Sequence, residues 1–143
     1  MLLKIIAVGK MKDRALSSHV QTYVTRLSPY AKVEIVEIRD GAPENEGAKI
    51  LEQLDGEKGY VIVLSEEGVE VTSKEFSAKL MGIDRKIVLV IGGPYGLAEA
   101  VKKRGDWLLS LSRMTFTHEM ARYLLLEQLY RAVMIGKGKN YHN

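Results

Sequence analysis

The sequence predicts an α/β fold: one open, mostly parallel sheet covered by helices on both faces. Three observations predict it. Five short apolar runs of strand length alternate with five segments of helical periodicity. Two of the runs, YVIVL from Tyr60 and IVLVI from Ile87, are apolar without interruption, as strands buried on both faces are. The 143 residues are 46% hydrophobic and 27% charged, with no repeat, long linker or low-complexity segment, so a single domain over 1–143 is expected.

Each element has its own local reason. Leu2 to Val8 is an apolar run closed by Gly9. Leu16, Val20, Tyr23, Val24 and Leu27 fall at helical spacing, and Ser28-Pro29 stops that helix because a residue before proline avoids helical dihedrals. His19 on this helix reads as surface. Val33 to Ile38 alternates as a strand with one wetter face does. Gly41-Ala42-Pro43 reads as a loop, with a helix carrying Ala48, Ile50, Leu51 and Leu54 ending near Gly56.

After Tyr60–Leu64, the acidic Glu66-Glu67-Gly68 reads as a loop. Thr72 and Glu75 have capping-box spacing for a helix running to about Met81. Beyond Ile87–Ile91, a glycine turn leads to a helix near Leu97 to Lys103, and Trp107 to Leu111 is the fifth strand. The last helix starts at Thr117 and reaches about Ile135. Met120, Ala121, Leu124, Leu125, Leu126, Leu129, Tyr130, Val133 and Met134 cover more than one stripe of it. A helix apolar nearly all round needs cover on several sides, most simply from a second copy of the chain related by a twofold axis.

Composition bounds the chemistry. There is no cysteine, which excludes disulfides, Cys-ligated metal and a thiol nucleophile. No run of about 18 apolar residues occurs, and the expected setting is soluble and cytoplasmic, with no membrane and no metal. The net charge of +3 is unevenly spread. Residues 1–100 hold 13 basic and 15 acidic side chains, whereas 101–143 hold 8 basic and 3 acidic. An anionic partner would meet the C-terminal third; a merely solvated basic face is the alternative.

Three candidate regions follow. The turn Gly92-Gly93-Pro94-Tyr95-Gly96 sits after a buried strand and before a helix, where open parallel sheets bind ligands, although a purely structural turn satisfies the same pattern. Its spacing is neither a Walker nor a dinucleotide fingerprint. Leu111-Ser112-Arg113-Met114-Thr115-Phe116 is too polar for a strand interior and too apolar for a solvated loop. It could wall an adenine or simply cover the core. Arg113, His118, Arg122, Arg131, Tyr141 and His142 supply the cationic and titratable groups. Arg122 and Arg131, nine residues apart, lie on opposite helix faces, so at least one should point to an interface.

Taken together, I-G-G-P-Y-G-L, L-S-R-M-T-F-T-H-E-M-A-R, E-Q-L-Y-R-A and the terminal Y-H resemble the ribosomal large-subunit RNA pseudouridine N3-methyltransferase family, a SPOUT-class family. The likeness runs from L-L-K-I-I-A-V-G-K to N-Y-H-N. The chain differs from the family pattern at Tyr95, where an acidic residue is common, and at Glu119 and Asn140, where proline is common. The tail is accordingly expected to be more flexible before RNA binds.

The resemblance implies a deep C-terminal trefoil knot over about 87–143 and S-adenosylmethionine bound within it. Leu64, Gly93, Leu111, Ser112, Arg113, Met114, Thr115 and Phe116 would hold the cofactor. It further implies a homodimer acting on large-subunit rRNA within the assembled ribosome, with His142 as base or base-positioning group, Arg131 stabilising charge and Tyr141 against the base. Arg122, Lys137 and Lys139 would engage phosphates. A SPOUT enzyme for another rRNA or tRNA nucleotide, or a non-catalytic flavodoxin-like binding module, is the rival expectation.

Overall fold

A computed structural model describes residues 1–143, with strands and helices in strict alternation. The strands are β1 (Leu2–Val8), β2 (Lys32–Ile38), β3 (Tyr60–Glu70), β4 (Ile87–Ile91) and β5 (Trp107–Ser110). The helices are α1 (Arg14–Leu27), α2 (Pro43–Leu54), α3 (Ser73–Met81), α4 (Glu99–Arg104) and α5 (His118–Gly136). All strand pairs are parallel, in the order β2-β1-β4-β3-β5. The continuously apolar β4 is central and buried at every residue, while the alternating β2 is an edge.

Strand alternation divides the interior into two layers. Leu3, Ile5, Ala7, Ile62, Ile87, Leu89 and Ile91 face α1, α3 and α5, where Val20, Leu27, Phe76, Leu80, Leu125, Leu126 and Leu129 complete the larger core. Ile6, Val8, Val61, Val63, Val88 and Val90 face α2 and α4, meeting Ile50, Leu54 and Val101. Helices therefore cover both faces, and α5 is wedged between α1 and α3 rather than lying on the outside.

The ends of the helices follow local chemistry. Thr72 and Glu75 form the expected capping box on α3, and Thr117 Oγ1 accepts from the Met120 amide at the start of α5. The C-terminus of α5 is a Schellman motif: the Lys139 amide donates to the Met134 carbonyl and the Gly138 amide to the Ile135 carbonyl, with Gly138 at φ +63°.

Two boundaries differ from the sequence expectation. Helix α2 begins at Pro43, because proline at the first helical position loses no intrahelical bond; the supposed loop is its N-terminus. Strand β3 continues to Glu70, because the chain swells out after Leu64 and returns, with Leu64 and Val69 both opposite Leu109. The acidic residues Glu66 and Glu67 form the exposed tip of that bulge.

Candidate functional site

Three chain segments meet beyond the carboxyl ends of β3, β4 and β5. The bulge after Leu64, the turn after Ile91 and the loop Leu111–Thr117 enclose a cleft of about 270 Å³, whose wall also includes His118 and Ala121 from the first turn of α5. Of the expected cofactor residues, Leu64, Gly93, Leu111, Ser112, Met114 and Phe116 line it. Arg113 and Thr115 do not. Arg113 points outward, 3.8 Å from Glu70, and Thr115 Oγ1 donates to Glu66 at 3.0 Å, tying the loop to the bulge.

The turn has to be glycine-rich for steric reasons. A Cβ on Gly93 would stand 2.9 Å from Val8 and 3.1 Å from Glu46, and one on Gly92 would stand 2.7 Å from Leu97. Glu46 lies buried behind the turn, accepting from the Gly41 amide at 2.8 Å with its second oxygen unpartnered. On the front, Tyr95 projects into solvent at 80% exposure. His118 in the wall is backed by the residue after β1: Gly9, at φ +86°, lets it pack where a Cβ would stand 3.0 Å from its ring.

Beneath the cleft the start of α5 is bolted to β1 and α1. The Lys12 and Asp13 amides both donate to Glu119, at 2.7 and 2.9 Å. Arg122 is 3% exposed, donating to Glu37 at 2.7 Å and to the Gly9 carbonyl at 2.9 Å. The expectation that Arg122 engages phosphate is thus corrected. Helical periodicity separated it from Arg131, but only the tertiary fold reveals that its face is the buried one.

At the other end of α5 the tail folds back onto the helix. Glu127 accepts from Arg131 Nε and Nη2 at 3.2 and 2.6 Å and from the Tyr141 hydroxyl at 3.0 Å. The hydroxyls of Tyr23 and Tyr141 are 2.9 Å apart, and Arg131 Nη1 lies 3.1 Å from His142 Nδ1. Tyr141 meets Tyr130 edge-on at 4.8 Å, with the Arg131 guanidinium 4.8 Å from its own ring centre. These contacts anchor the tail on α5 and α1. Burial first, then hydrogen bonding to Tyr23 and Glu127, pushes the Tyr141 hydroxyl well above the ordinary tyrosine range. The bond to Glu127 holds Arg131 still more firmly charged. Lys137 and Lys139 stay exposed beside this cluster.

Comparison with known proteins decides the class. The family model described as "Predicted SPOUT methyltransferase" matches residues 1–142. The chain belongs to the SPOUT methyltransferases. A protein of Methanoregula boonei is 43% identical over 99% of both chains, and the ribosomal RNA large subunit methyltransferase H of Bacillus thuringiensis is 40% identical over 99% of both. A tRNA methyltransferase from Aquifex aeolicus has the same fold, with a TM-score of 0.61 and 17% identity over 92% of this chain and 70% of that one.

The SPOUT cleft suits the methyl donor of such enzymes. Leu64, Leu111, Met114 and Phe116 offer apolar walls to an adenine, and the glycine turn admits backbone close to a ligand; of the charged residues in the wall, Glu67 is paired with Lys102 at 3.4 Å and Glu66 accepts from Thr115. Sequence reasoning missed Glu127, Tyr23, Glu66 and Glu67 as site residues, and named His118 only among the titratable groups of the C-terminal third. The four-residue spacing of Glu127 and Arg131 was the one readable sign among them.

Proposed function

We propose that this SPOUT methyltransferase acts as a homodimer on large-subunit ribosomal RNA in the cytoplasm, transferring a methyl group from S-adenosylmethionine to N3 of a pseudouridine. The full-length match to a Bacillus ribosomal RNA methyltransferase carries the substrate class, and the combined resemblance of the glycine turn, the Leu111–Arg122 segment, the Glu127–Ala132 run and the terminal Tyr141-His142 points to the pseudouridine. The knot implied for about 87–143 fits a chain that leaves the edge strand β5, passes the bulge of β3 and sends α5 back to Gly9 after β1.

Cleft and tail are separate within one chain. Ala121 lines the cleft and Arg131 belongs to the tail cluster, ten residues further along one helix, which is about 15 Å. A single target base can meet both only if a second chain supplies one of them. The half-exposed Met120 and Leu124 on α5, continuous with the exposed Phe116, give that second chain an apolar surface.

When bound, S-adenosylmethionine supplies an electrophilic methyl, whose transfer to N3 returns the carbon–sulfur pair to sulfur. The chain's own work is mainly alignment, which can be worth about 7–11 kcal/mol. Leu64, Gly93 and Leu111–Phe116 hold the donor, with Arg113 and Thr115 fixing the loop from outside. From the partner, Tyr141 packs against the base, and Arg131 places positive charge where the flanking carbonyl oxygens become anionic. His142 serves as base or base-positioning group. Lys137 and Lys139 meet phosphates, making binding salt-dependent.

The test uses ribosomes from cells lacking the enzyme, labelled S-adenosylmethionine and location of the label. Wild type should label N3 of one pseudouridine in large-subunit RNA. Arg131→Ala and His142→Ala should bind cofactor normally by calorimetry and lose methylation by about 10²-fold or more. Label on another nucleotide would refute the assigned target, and full activity of both variants would refute the composite site.

A further inference from the structure

The tail geometry defines what His142 can do, given the composite site proposed above. We infer that His142 is a hydrogen-bond donor to a carbonyl oxygen of the target pyrimidine, through Nε2, and not the base that removes the N3 proton. Arg131 Nη1 lies 3.1 Å from His142 Nδ1. A guanidinium nitrogen only donates, because arginine does not give up its proton in proteins. His142 Nδ1 is therefore the acceptor. In a neutral imidazole that accepts at Nδ1, the ring hydrogen is on Nε2. The nitrogen left to face a substrate already carries a proton and cannot receive one.

The neighbours fix this arrangement. Glu127 engages Arg131 from Nε and Nη2, at 3.2 and 2.6 Å, so that Nη1 is the part of the guanidinium turned to the imidazole. Glu127 also receives the Tyr141 hydroxyl, and Gln128 Nε2 donates to its other oxygen at 2.9 Å. Glu127 and Arg131 thus act on the base partly through His142, as positioning residues. The role fits the reaction. As the N3 proton leaves to water, negative charge spreads onto the two flanking carbonyl oxygens, and a fixed N–H aimed at one of them stabilises the nucleophilic form of the base.

Two substitutions separate a donor from a base. In His142→Gln the side chain keeps one donor and one acceptor but cannot take up a proton at neutral pH. In His142→Ala it keeps neither. With ribosomes from cells lacking the enzyme and labelled S-adenosylmethionine, His142→Ala should lower kcat by about 10²- to 10³-fold. His142→Gln should stay within about tenfold of wild type.

If Gln and Ala are equally impaired while both bind cofactor normally, the donor role is wrong and the composite site stands. If Ala keeps full activity, the donor role is likewise wrong, and the composite site itself falls only if Arg131→Ala is fully active as well. Nitrogen-15 NMR of histidine-labelled protein gives a readout independent of turnover, the His142 signals being assigned by their absence in His142→Gln. A proton on Nε2 with Nδ1 bare is expected, and a proton on Nδ1 overturns the inference.

Discussion

Single residues here are set by partners distant in sequence. Tyr141 bonds to Tyr23 across 118 positions and Arg122 to Gly9 across 113, and no local pattern announces either. This is why Arg122 read as a phosphate ligand and why Glu127 went unnoticed. Residues that act through local shape were legible, as Gly93 and Leu111, Ser112, Met114 and Phe116 at the cleft were, whereas Arg113 and Thr115 turn away from it. The raised Tyr141 hydroxyl has a measurable consequence. A proton held more tightly in the folded chain stabilises it fully below the ordinary tyrosine value of 10.0, and that contribution is lost as pH rises above it. Thermal melts should show wild type losing stability relative to Tyr141→Phe above about pH 10. A gap between the two that does not narrow with rising pH would contradict this.

Elements were legible where one force dominated. Strands buried on both faces appear as uninterrupted apolar runs, so β4 and the first half of β3 could be read directly, and the capping box marked the start of α3. Errors arose where one residue type has two meanings. Pro43 can break a helix or open one, and Glu66-Glu67-Gly68 can be a loop or the tip of a bulged strand. The capping box is also a testable contribution. Thr72→Ala removes the acceptor for the Glu75 amide, and urea unfolding should show a loss of about 1 kcal/mol with unchanged slope. No helix is long and apolar enough to cross a membrane.

At the scale of the molecule, the over-apolar last helix was legible as a problem of cover, and much of the answer is internal. Leu125, Leu126, Leu129, Ala132, Val133 and Met134 are buried against α1, α3 and the sheet within one chain. What remains for a partner is the narrower strip through Phe116, Met120 and Leu124. The composite site predicts complementation. Leu111→Glu, which puts a carboxylate in the cleft wall, and His142→Ala should each be nearly inactive alone. Co-expressed, they should regain activity, because a mixed dimer has one intact cleft facing one intact tail; an inactive mixture would place both in the same chain. Helix α5 joins cleft to tail as a rigid strut with no loop to absorb a change in length. One residue inserted between Ala121 and Arg131 would turn everything beyond it by about 100°. Side chains on the exposed face of this stretch can be exchanged, but its residue count should be held constant among descendants.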